Sequence, residues 1–398
     1  MGVTAHRRAN AGELIAYAVP PGPVWLEILA SHAASGASFL PVDVRLTERE
    51  QRRLIARASP TMLVTPEEEV LFGGANTADP ERAWAVVATS GTGGEPKLVE
   101  LPRRAIGAAV AGSFTALDAS AFDPWVCCLT PAHVGGLLVL LRGALAGSPV
   151  EVRERFDARW LTDDAPDGAH VSLVPAMLER LVATGEDLSR LGVVLVGGGR
   201  LRGALRDAAA RLGARIVTTY GLTESCGGIA YDGIPFDDTA VRIADGGAIE
   251  VKGPTLMEGY RADPQGTAGA FTVDGWLRTG DLGSLDAEGR LVVDGRAGDA
   301  IRTGGETVWP DEVEAVLRSH HRVADVAVSG MPDAEWGARV VVWVVPADAS
   351  DPPSLEELRE HSREGLARFK APRELRIVES LPRTASGKLR RNELPRRG

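Results

Sequence analysis

Several short segments bring together residue types that could do chemistry. Thr89-Ser90-Gly91-Thr92-Gly93-Gly94-Glu95-Pro96-Lys97 follows an apolar, β-rich run. Glycines let backbone N–H groups converge on an anion, hydroxyls add donors and a lysine adds charge, so the segment reads as a phosphate-binding loop, with a plain surface loop as the alternative. It is not a Walker A loop, because Pro96 precedes Lys97 and no Ser or Thr follows it. In Thr219-Tyr220-Gly221-Leu222-Thr223-Glu224, at the end of a second β-rich run, Glu224 could hold Mg²⁺ and Thr223 could meet phosphate oxygens; a helix cap is the competing reading. In Trp276–Leu282, Asp281 follows Gly280, where it could accept both hydroxyls of a ribose or merely close an Asx turn. Near the C-terminus, Pro382–Lys388 ends in Gly387-Lys388, a cation placed to reach phosphate or the end of a solubilising basic tail. His133 precedes an apolar helical run and reads alone as a structural histidine. No Ser/His/Asp order and no His/Cys metal spacing stands out.

These segments need elements to hold them. Up to about Gly221 the chain alternates short apolar strands with helical periods: a helix over Trp25–Gly36, a strand over Ser38–Val42 and a helix over Thr47–Ser59 capped by Thr47. Further strands are expected at Thr61–Val64, Trp84–Ala88, His170–Leu173, Gly192–Val196 and Arg215–Thr219. Pro175 opens one helix, and Leu201–Leu212 forms another with Leu201, Leu205, Ala208 and Leu212 on one face. The pattern implies sheets covered by helices. Beyond Gly221, Val241–Val251, Phe271–Val273 and Arg290–Val293 suggest antiparallel strands, with a hairpin loop at Asp286–Gly289. A smaller α+β unit is expected from Gly295, with Pro310 opening a helix, strands at Val323–Val328 and Arg339–Val345, and a Ser354/Glu357 capping box before a helix running to about Arg368.

Composition narrows the function classes. The 398 residues imply two or three domains, and a formal charge of −10 argues against nucleic acid as the main partner. Three cysteines, two of them adjacent, give no disulfide framework and fit a reducing cytoplasm. The apolar run Leu14–Val19 is too short for a signal peptide and no run is long enough to span a membrane, so a cytoplasmic protein without membrane insertion is expected. Of 44 basic residues only Lys97, Lys252, Lys370 and Lys388 are lysines, which raises the question of what a compact ammonium does at each.

In this order the motifs resemble the AMP-forming adenylating superfamily of acyl-CoA synthetases, peptide-synthetase adenylation domains and luciferases. TSGTGGEPK resembles its phosphate loop, TYGLTES its Mg²⁺- and adenylate-binding turn, WLRTGDL its ribose motif, GRAGDAI with RTGGETVWPDEVE its hinge and thiol channel, and LPRTASGKLRR its catalytic-lysine loop. Val193–Gly199 resembles the strand and glycine turn along the adenine. Within the superfamily, PAHVGGL, LVGGG and TYGLTESCGGIAYDGIP resemble the short actinobacterial o-succinylbenzoate–CoA ligases of menaquinone biosynthesis.

The resemblance implies an α/β fold: a large domain over 1–294, shortened at its N-terminus relative to full-length members, and a small mobile α+β domain over 295–398. It implies a ligase that joins a small carboxylic acid to coenzyme A through an acyl-adenylate, using ATP and Mg²⁺. Thr89, Ser90, Gly91, Thr92, Gly93, Gly94 and Lys97 would hold phosphates; Gly198, Gly199, Thr219, Tyr220 and Gly221 the adenylate; Asp281 and Arg296 the ribose. Glu224 would bind Mg²⁺, with Thr223 and Lys388 catalytic. His133, Ser225, Gly227 and Gly228 would border the acid, Gly304 and Gly305 the thiol arm, and Gly298 would be the hinge. Two departures stand out: Gly93 replaces a threonine of the phosphate loop, and Gly298 replaces a hinge acid and leaves Asp299. Other readings are an aryl- or acyl-acid ligase of secondary metabolism, delivering to coenzyme A or a carrier protein, and a nucleotide-binding protein without turnover. Assembly into a homo-oligomer is compatible with all of them.

Overall fold

The computed structural model describes residues 10–72, 80–89, 96–383 and 389–395. Two seven-stranded sheets form the large body. The first runs in the order Gly259–Tyr260, Leu98–Leu101, Ala85–Ala88, Ser38–Pro41, Leu14–Tyr17, Met62–Val64, Glu69–Leu71. The second runs Ile234–Pro235, Gly227–Tyr231, Arg215–Leu222, Val193–Val196, His170–Leu173, Trp125–Cys127, Val150–Val152, and is parallel from Arg215–Leu222 onward.

Period-two alternation explains how each strand serves two cores. Ile15 and Tyr17 face the core shared by the two sheets, whereas Leu14 and Ala16 face the helix Glu48–Ala58 through Leu54 and Ala58. The shared core holds Trp25, Ile106 and Leu137 from the helices Val24–Ser35, Arg103–Leu117 and Val134–Leu141. Trp25, Trp84 and Trp125 are all but inaccessible, each a large apolar payload that anchors one layer. On the far side of the second sheet, Val126, Val194 and Val196 pack on Leu178 and Leu205.

Local signals act as the residue types dictate. Thr47 accepts from Glu50 N while the Glu50 side chain returns to Thr47 N, a full capping box, and Ser354 with Glu357 forms another. Pro310 opens the helix Pro310–Leu317. The strand expected to end at Thr219 continues to Leu222, because antiparallel pairing with Gly227–Tyr231 supplies partners for the extra residues. Val241–Val251 is two strands, Ala240–Ala244 and Ala248–Lys252, turned by Gly246 and Gly247 at positive φ. Phe271–Val273 makes only an isolated bridge from Phe271 to Leu277. The helix expected over Leu201–Leu212 spans Gly203–Arg211 and buries Leu205 and Ala209, one full turn apart, instead of Ala208. The helix expected to reach Arg368 stops at Gly365.

A third sheet, Ala240–Ala244, Ala248–Lys252, Leu277–Leu285 and Leu291–Arg296, is wholly antiparallel. It ends at Arg296. The fourth sheet starts at Ile301 and carries Glu306–Val308, Gly337–Pro346, Val323–Asp333 and Glu374–Ile377, covered by Pro310–Leu317 and Leu355–Gly365. The fold is therefore α/β, with a large N-terminal part followed by a small C-terminal one. Cys127, Cys128 and Cys226 are buried free thiols. No helix among the described residues is long and apolar enough to cross a membrane.

Candidate active site

A cleft of about 450 Å³ is lined by Lys97, Glu224, Tyr260, Arg278, Thr279 and Arg296. It lies beyond the carboxyl end of Arg215–Leu222, the usual place for a ligand in an open α/β sheet. The phosphate-loop candidate is closed at its neck: Thr89 N donates to Lys97 O (2.8 Å) and Lys97 N to Thr89 Oγ1 (3.1 Å). Ser90, Gly91, Thr92, Gly93, Gly94 and Lys388 lie outside the described residues. Lys97 Nζ sits 4.2 Å from the centre of the Tyr260 ring.

The Thr223–Ser225 turn presents Glu224 to the same cleft. Its Oε1 accepts a 2.9 Å hydrogen bond from the Tyr260 hydroxyl, and its backbone carbonyl accepts from Met257 N (2.8 Å). Burial raises the Tyr260 phenol above its ordinary value, and the Glu224 charge adds to this, so the hydroxyl remains a donor. Gly221 must be glycine: a Cβ there would lie 1.7 Å from Gly227 O at the bulge in the strand pair. Thr219 packs into space left by Gly197 and Gly228, whose added Cβ atoms would meet its Cγ2 at 2.6 Å and its Oγ1 at 2.1 Å. Gly198 and Gly199 turn beyond Val193–Val196, with Gly198 at φ 74°.

Asp281 lies directly across the strand pair from Arg296. Arg296 Nε approaches Asp281 Oδ1 at 3.0 Å, Arg296 Nη1 donates to Thr279 O at 2.7 Å, and the Tyr220 hydroxyl donates to Asp281 Oδ2 at 2.8 Å. Burial pushes the Asp281 carboxyl above its ordinary value, while Arg296 and the Tyr220 hydroxyl pull it back. Tyr220 is itself raised, by burial first and by Asp281 second. The cleft thus gathers a lysine, two exposed arginines and the Glu224 carboxylate, with Asp281 held behind Arg296, a set that suits a magnesium nucleotide. Among the described residues no group of three or more His, Cys, Asp or Glu could hold a metal. Glu224 nevertheless fits Mg²⁺, which commonly takes one or two protein carboxylates and completes its shell with phosphate oxygens and water.

The remaining candidates fall elsewhere. His133 stands just before the helix Val134–Leu141 with its Nε2 3.7 Å from Asp43 Oδ2, and Asp43 is held by Arg45 Nε and Nη2 at 2.8 and 2.7 Å. Burial would raise Asp43, but the Arg45 hydrogen bonds outweigh it and keep the carboxyl below its ordinary value. Ser225 is fully buried, and its hydroxyl serves Leu222 N (2.9 Å) and Gly227 O (2.9 Å) within its own turn. Gly227 and Gly228 begin the strand that leads inward from Glu224. Gly304 and Gly305, both at positive φ, make the two-residue turn joining Ile301–Thr303 to Glu306–Val308. Gly298 is exposed between the third and fourth sheets, and a Cβ there would meet nothing within 4 Å.

Sequence reasoning missed Tyr260 and Arg142. Arg142 ends the apolar run Val134–Leu141 and starts a π-helical turn, Arg142–Ala146. It is 2% exposed, stacks 4.1 Å over the Trp125 ring, and donates from Nη2 to Ser113 Oγ (2.8 Å), which also receives the Tyr231 hydroxyl (2.9 Å). No acceptor among the described residues reaches its Nε or Nη1. Burial lowers the guanidinium from its ordinary value. The available signal was an arginine closing an otherwise apolar helix nine residues after His133.

Comparison with known proteins shows the family. The AMP-binding enzyme family matches residues 73–261, and the AMP-binding enzyme C-terminal domain matches residues 312–388. A probable 2-succinylbenzoate–CoA ligase of Mycobacterium tuberculosis is 39% identical over 365 residues, spanning 87% of this chain and 93% of the relative. The chain belongs to the AMP-binding enzyme family. A family member from Listeria monocytogenes, a 2-succinylbenzoate–CoA ligase, is 36% identical over 338 residues, covering 81% of this chain and 71% of the relative. The solved o-succinylbenzoate coenzyme A synthetase of Bacillus subtilis with its acyl-adenylate intermediate aligns with TM-score 0.86 at 26% identity, covering 97% of this chain and 88% of that one. The same enzyme with ATP and a magnesium ion also gives 0.86.

Proposed function

We propose that the chain is an ATP-dependent ligase that joins 2-succinylbenzoate to coenzyme A through an acyl-adenylate, with AMP and pyrophosphate as coproducts, in menaquinone biosynthesis. The observation that carries this reading is the convergence on one cleft of Lys97, Glu224 and Arg296, the arginine that holds Asp281.

In the first step a substrate carboxylate oxygen attacks the α-phosphorus of ATP, the bond to pyrophosphate breaks, and a mixed anhydride forms. In the second the coenzyme A thiol loses its proton, its sulfur attacks the acyl carbon, and AMP departs. Asp281 accepts from the ribose hydroxyls while Arg296 and Tyr220 fix its orientation. Lys97 and the Thr89–Gly94 loop hold the terminal phosphates, the Gly198–Gly199 turn and Thr219–Gly221 flank the adenine, and Thr223 meets the α-phosphate. Glu224 would hold Mg²⁺, which when bound would supply charge neutralisation at the phosphates. Lys388 brings substrate carboxylate and α-phosphate together. Catalysis here is positioning plus electrostatics, and losing one preorganised contact costs about 2.7–4 kcal/mol of barrier. The unit beyond Gly298 then rotates about that residue and exchanges Lys388 for the Thr303–Glu306 turn, which guides the thiol.

Arg142 supports the choice of acid. 2-Succinylbenzoate keeps a second, aromatic carboxylate after its aliphatic one is activated. From Glu224 the chain runs inward through Gly227 and Gly228 to Tyr231, whose hydroxyl meets Ser113 beside Arg142. A buried guanidinium short of acceptors is costly by itself, and a carboxylate would complete it. The test is pyrophosphate exchange over a panel of acids, with coenzyme A and a holo-carrier protein as acceptors, in the wild type and in Arg142→Met. We expect 2-succinylbenzoate with coenzyme A to be preferred. In Arg142→Met its kcat/KM should fall about 100-fold, equivalent to about 2.7 kcal/mol, while 4-phenyl-4-oxobutanoate, which lacks the ring carboxylate, is spared. Equal loss for both acids removes Arg142 from the acid site, and preference for another acid or for the carrier protein overturns the substrate assignment.

A further inference from the structure

We propose that Tyr260 is a positioning residue that couples the phosphate loop to the metal-holding carboxylate and sets how tightly the nucleotide's divalent cation is held. The proposal rests on the reading of the cleft as an ATP site with Glu224 toward Mg²⁺.

Lys97 leads directly into Leu98–Leu101 of the first sheet, whereas Glu224 follows Arg215–Leu222 of the second. The two charges therefore belong to separate sheets, and their separation depends on whatever spans the gap. Tyr260 spans it. It lies on the two-residue edge strand Gly259–Tyr260, in register with Val99 just two residues past Lys97. Its hydroxyl reaches Glu224 Oε1 at 2.9 Å, and its ring face receives Lys97 Nζ at 4.2 Å from the centroid.

The base of this bridge is well fixed. Tyr260 N donates to Thr267 Oγ1 at 2.8 Å, and Arg261 N donates to Leu98 O at 2.8 Å. The Arg261 guanidinium holds Ala58 O and Glu100 at 2.8 and 3.2 Å. Three residues upstream, Met257 N holds the backbone of Glu224. Tyr260 is 8% exposed, so the ring has little freedom to turn away.

Each contact has a separable consequence. The hydroxyl bond engages one carboxylate oxygen of Glu224 and leaves the other to meet the cation, so a preoriented ligand replaces a rotating one. The cation–π contact parks Lys97 at the cleft wall and is weak enough to be exchanged for phosphate oxygens. Losing the hydroxyl should weaken cation binding; losing the ring should also release Lys97.

Tyr260→Phe and Tyr260→Ala separate the two. The readouts are Mn²⁺ binding in the presence of ATP, followed by electron paramagnetic resonance without turnover, and the Mg²⁺ dependence of pyrophosphate exchange. We expect Tyr260→Phe to weaken Mn²⁺ binding and to raise the half-saturating Mg²⁺ concentration about tenfold, as loss of one hydrogen bond to a charged group would. The deficit should be recovered by added Mg²⁺, so that it appears in the metal midpoint and not in kcat. Tyr260→Ala should add a rise in KM for ATP at saturating Mg²⁺. An unchanged midpoint and Mn²⁺ affinity in Tyr260→Phe, or a loss confined to kcat, overturns the proposal. If the wild type binds no Mn²⁺–ATP and exchanges no pyrophosphate with any acid, the ATP reading falls and takes the Tyr260 assignment with it.

Discussion

Two buried carboxylates, one in each part of the molecule, each pair with an arginine and are put to different uses. Asp281 pairs with Arg296 at the cleft, and Glu314 pairs with Arg391 in the C-terminal unit, at 3.0 and 2.8 Å. Both carboxyls are raised by burial, Glu314 to about 7. The difference lies in what surrounds them. The Arg296 side chain is 52% exposed at the cleft wall, whereas that of Arg391 is 16% exposed. Glu314 also accepts from Val328 N at 2.8 Å, and Arg391 is shared with Asp311, which closes the network on itself. The first pair faces a space a ligand can enter. The second ties the chain just after the Arg383–Leu389 bridge to the helix Pro310–Leu317, and so steadies the neck of the segment that bears Lys388.

If this contrast is right, mutation should separate stability from activity. Glu314→Ala should cost about 3 kcal/mol of stability, the usual penalty for stranding one partner of a buried pair, read as a lower denaturation midpoint. Asp281→Ala should leave that midpoint within experimental scatter of the wild type or above it. Its kcat/KM for ATP should fall about 100-fold through lost charge-assisted hydrogen bonds to the ribose. The reverse assignment of effects would break the comparison.

A smaller effect sharpens it. The folded pKa of Glu314, about 7, lies above the ordinary glutamate value near 4.3, so the folded state holds a proton that the unfolded chain releases. That contribution is fully present below about pH 4.3 and is lost as pH rises through 7, with a slope of at most about 1.4 kcal/mol per pH unit. Glu314→Gln should flatten the decline in stability between pH 5 and 8. This is read from melts across pH, and an unchanged slope would assign the pH dependence to other groups.

The extent to which the sequence foretold this molecule depends on whether a feature is local. Capping boxes, the Pro310 helix start and the alternation of strands and helices are set by neighbours within a few residues, and they appear where residue type demands. The strand past Thr219 and the split of Val241–Val251 escaped because cross-strand pairing and two left-handed glycines decided them. The site divides in the same way. Contiguous motifs carried Lys97, Glu224 and Arg296 to one cleft, with Asp281 behind Arg296. Tyr260 and Arg142 act through partners at distant positions, Glu224 and Lys97 for one, Ser113 and Trp125 for the other, and the only local mark on either is the apolar run ahead of Arg142. The scarce lysines also gain explanations. Lys252 donates to Asp274 O at 3.0 Å, and Lys370 pairs with Glu312 in the C-terminal unit, so these two have structural partners while Lys97 faces the cleft.

The central claim is that one chain performs two half-reactions with different residues. Its most direct test is Lys388→Ala assayed on each half separately, pyrophosphate release from ATP with 2-succinylbenzoate and thioester formation from supplied acyl-adenylate with coenzyme A. Adenylation should collapse while thioester formation persists at near wild-type rate; equal loss of both would contradict the account.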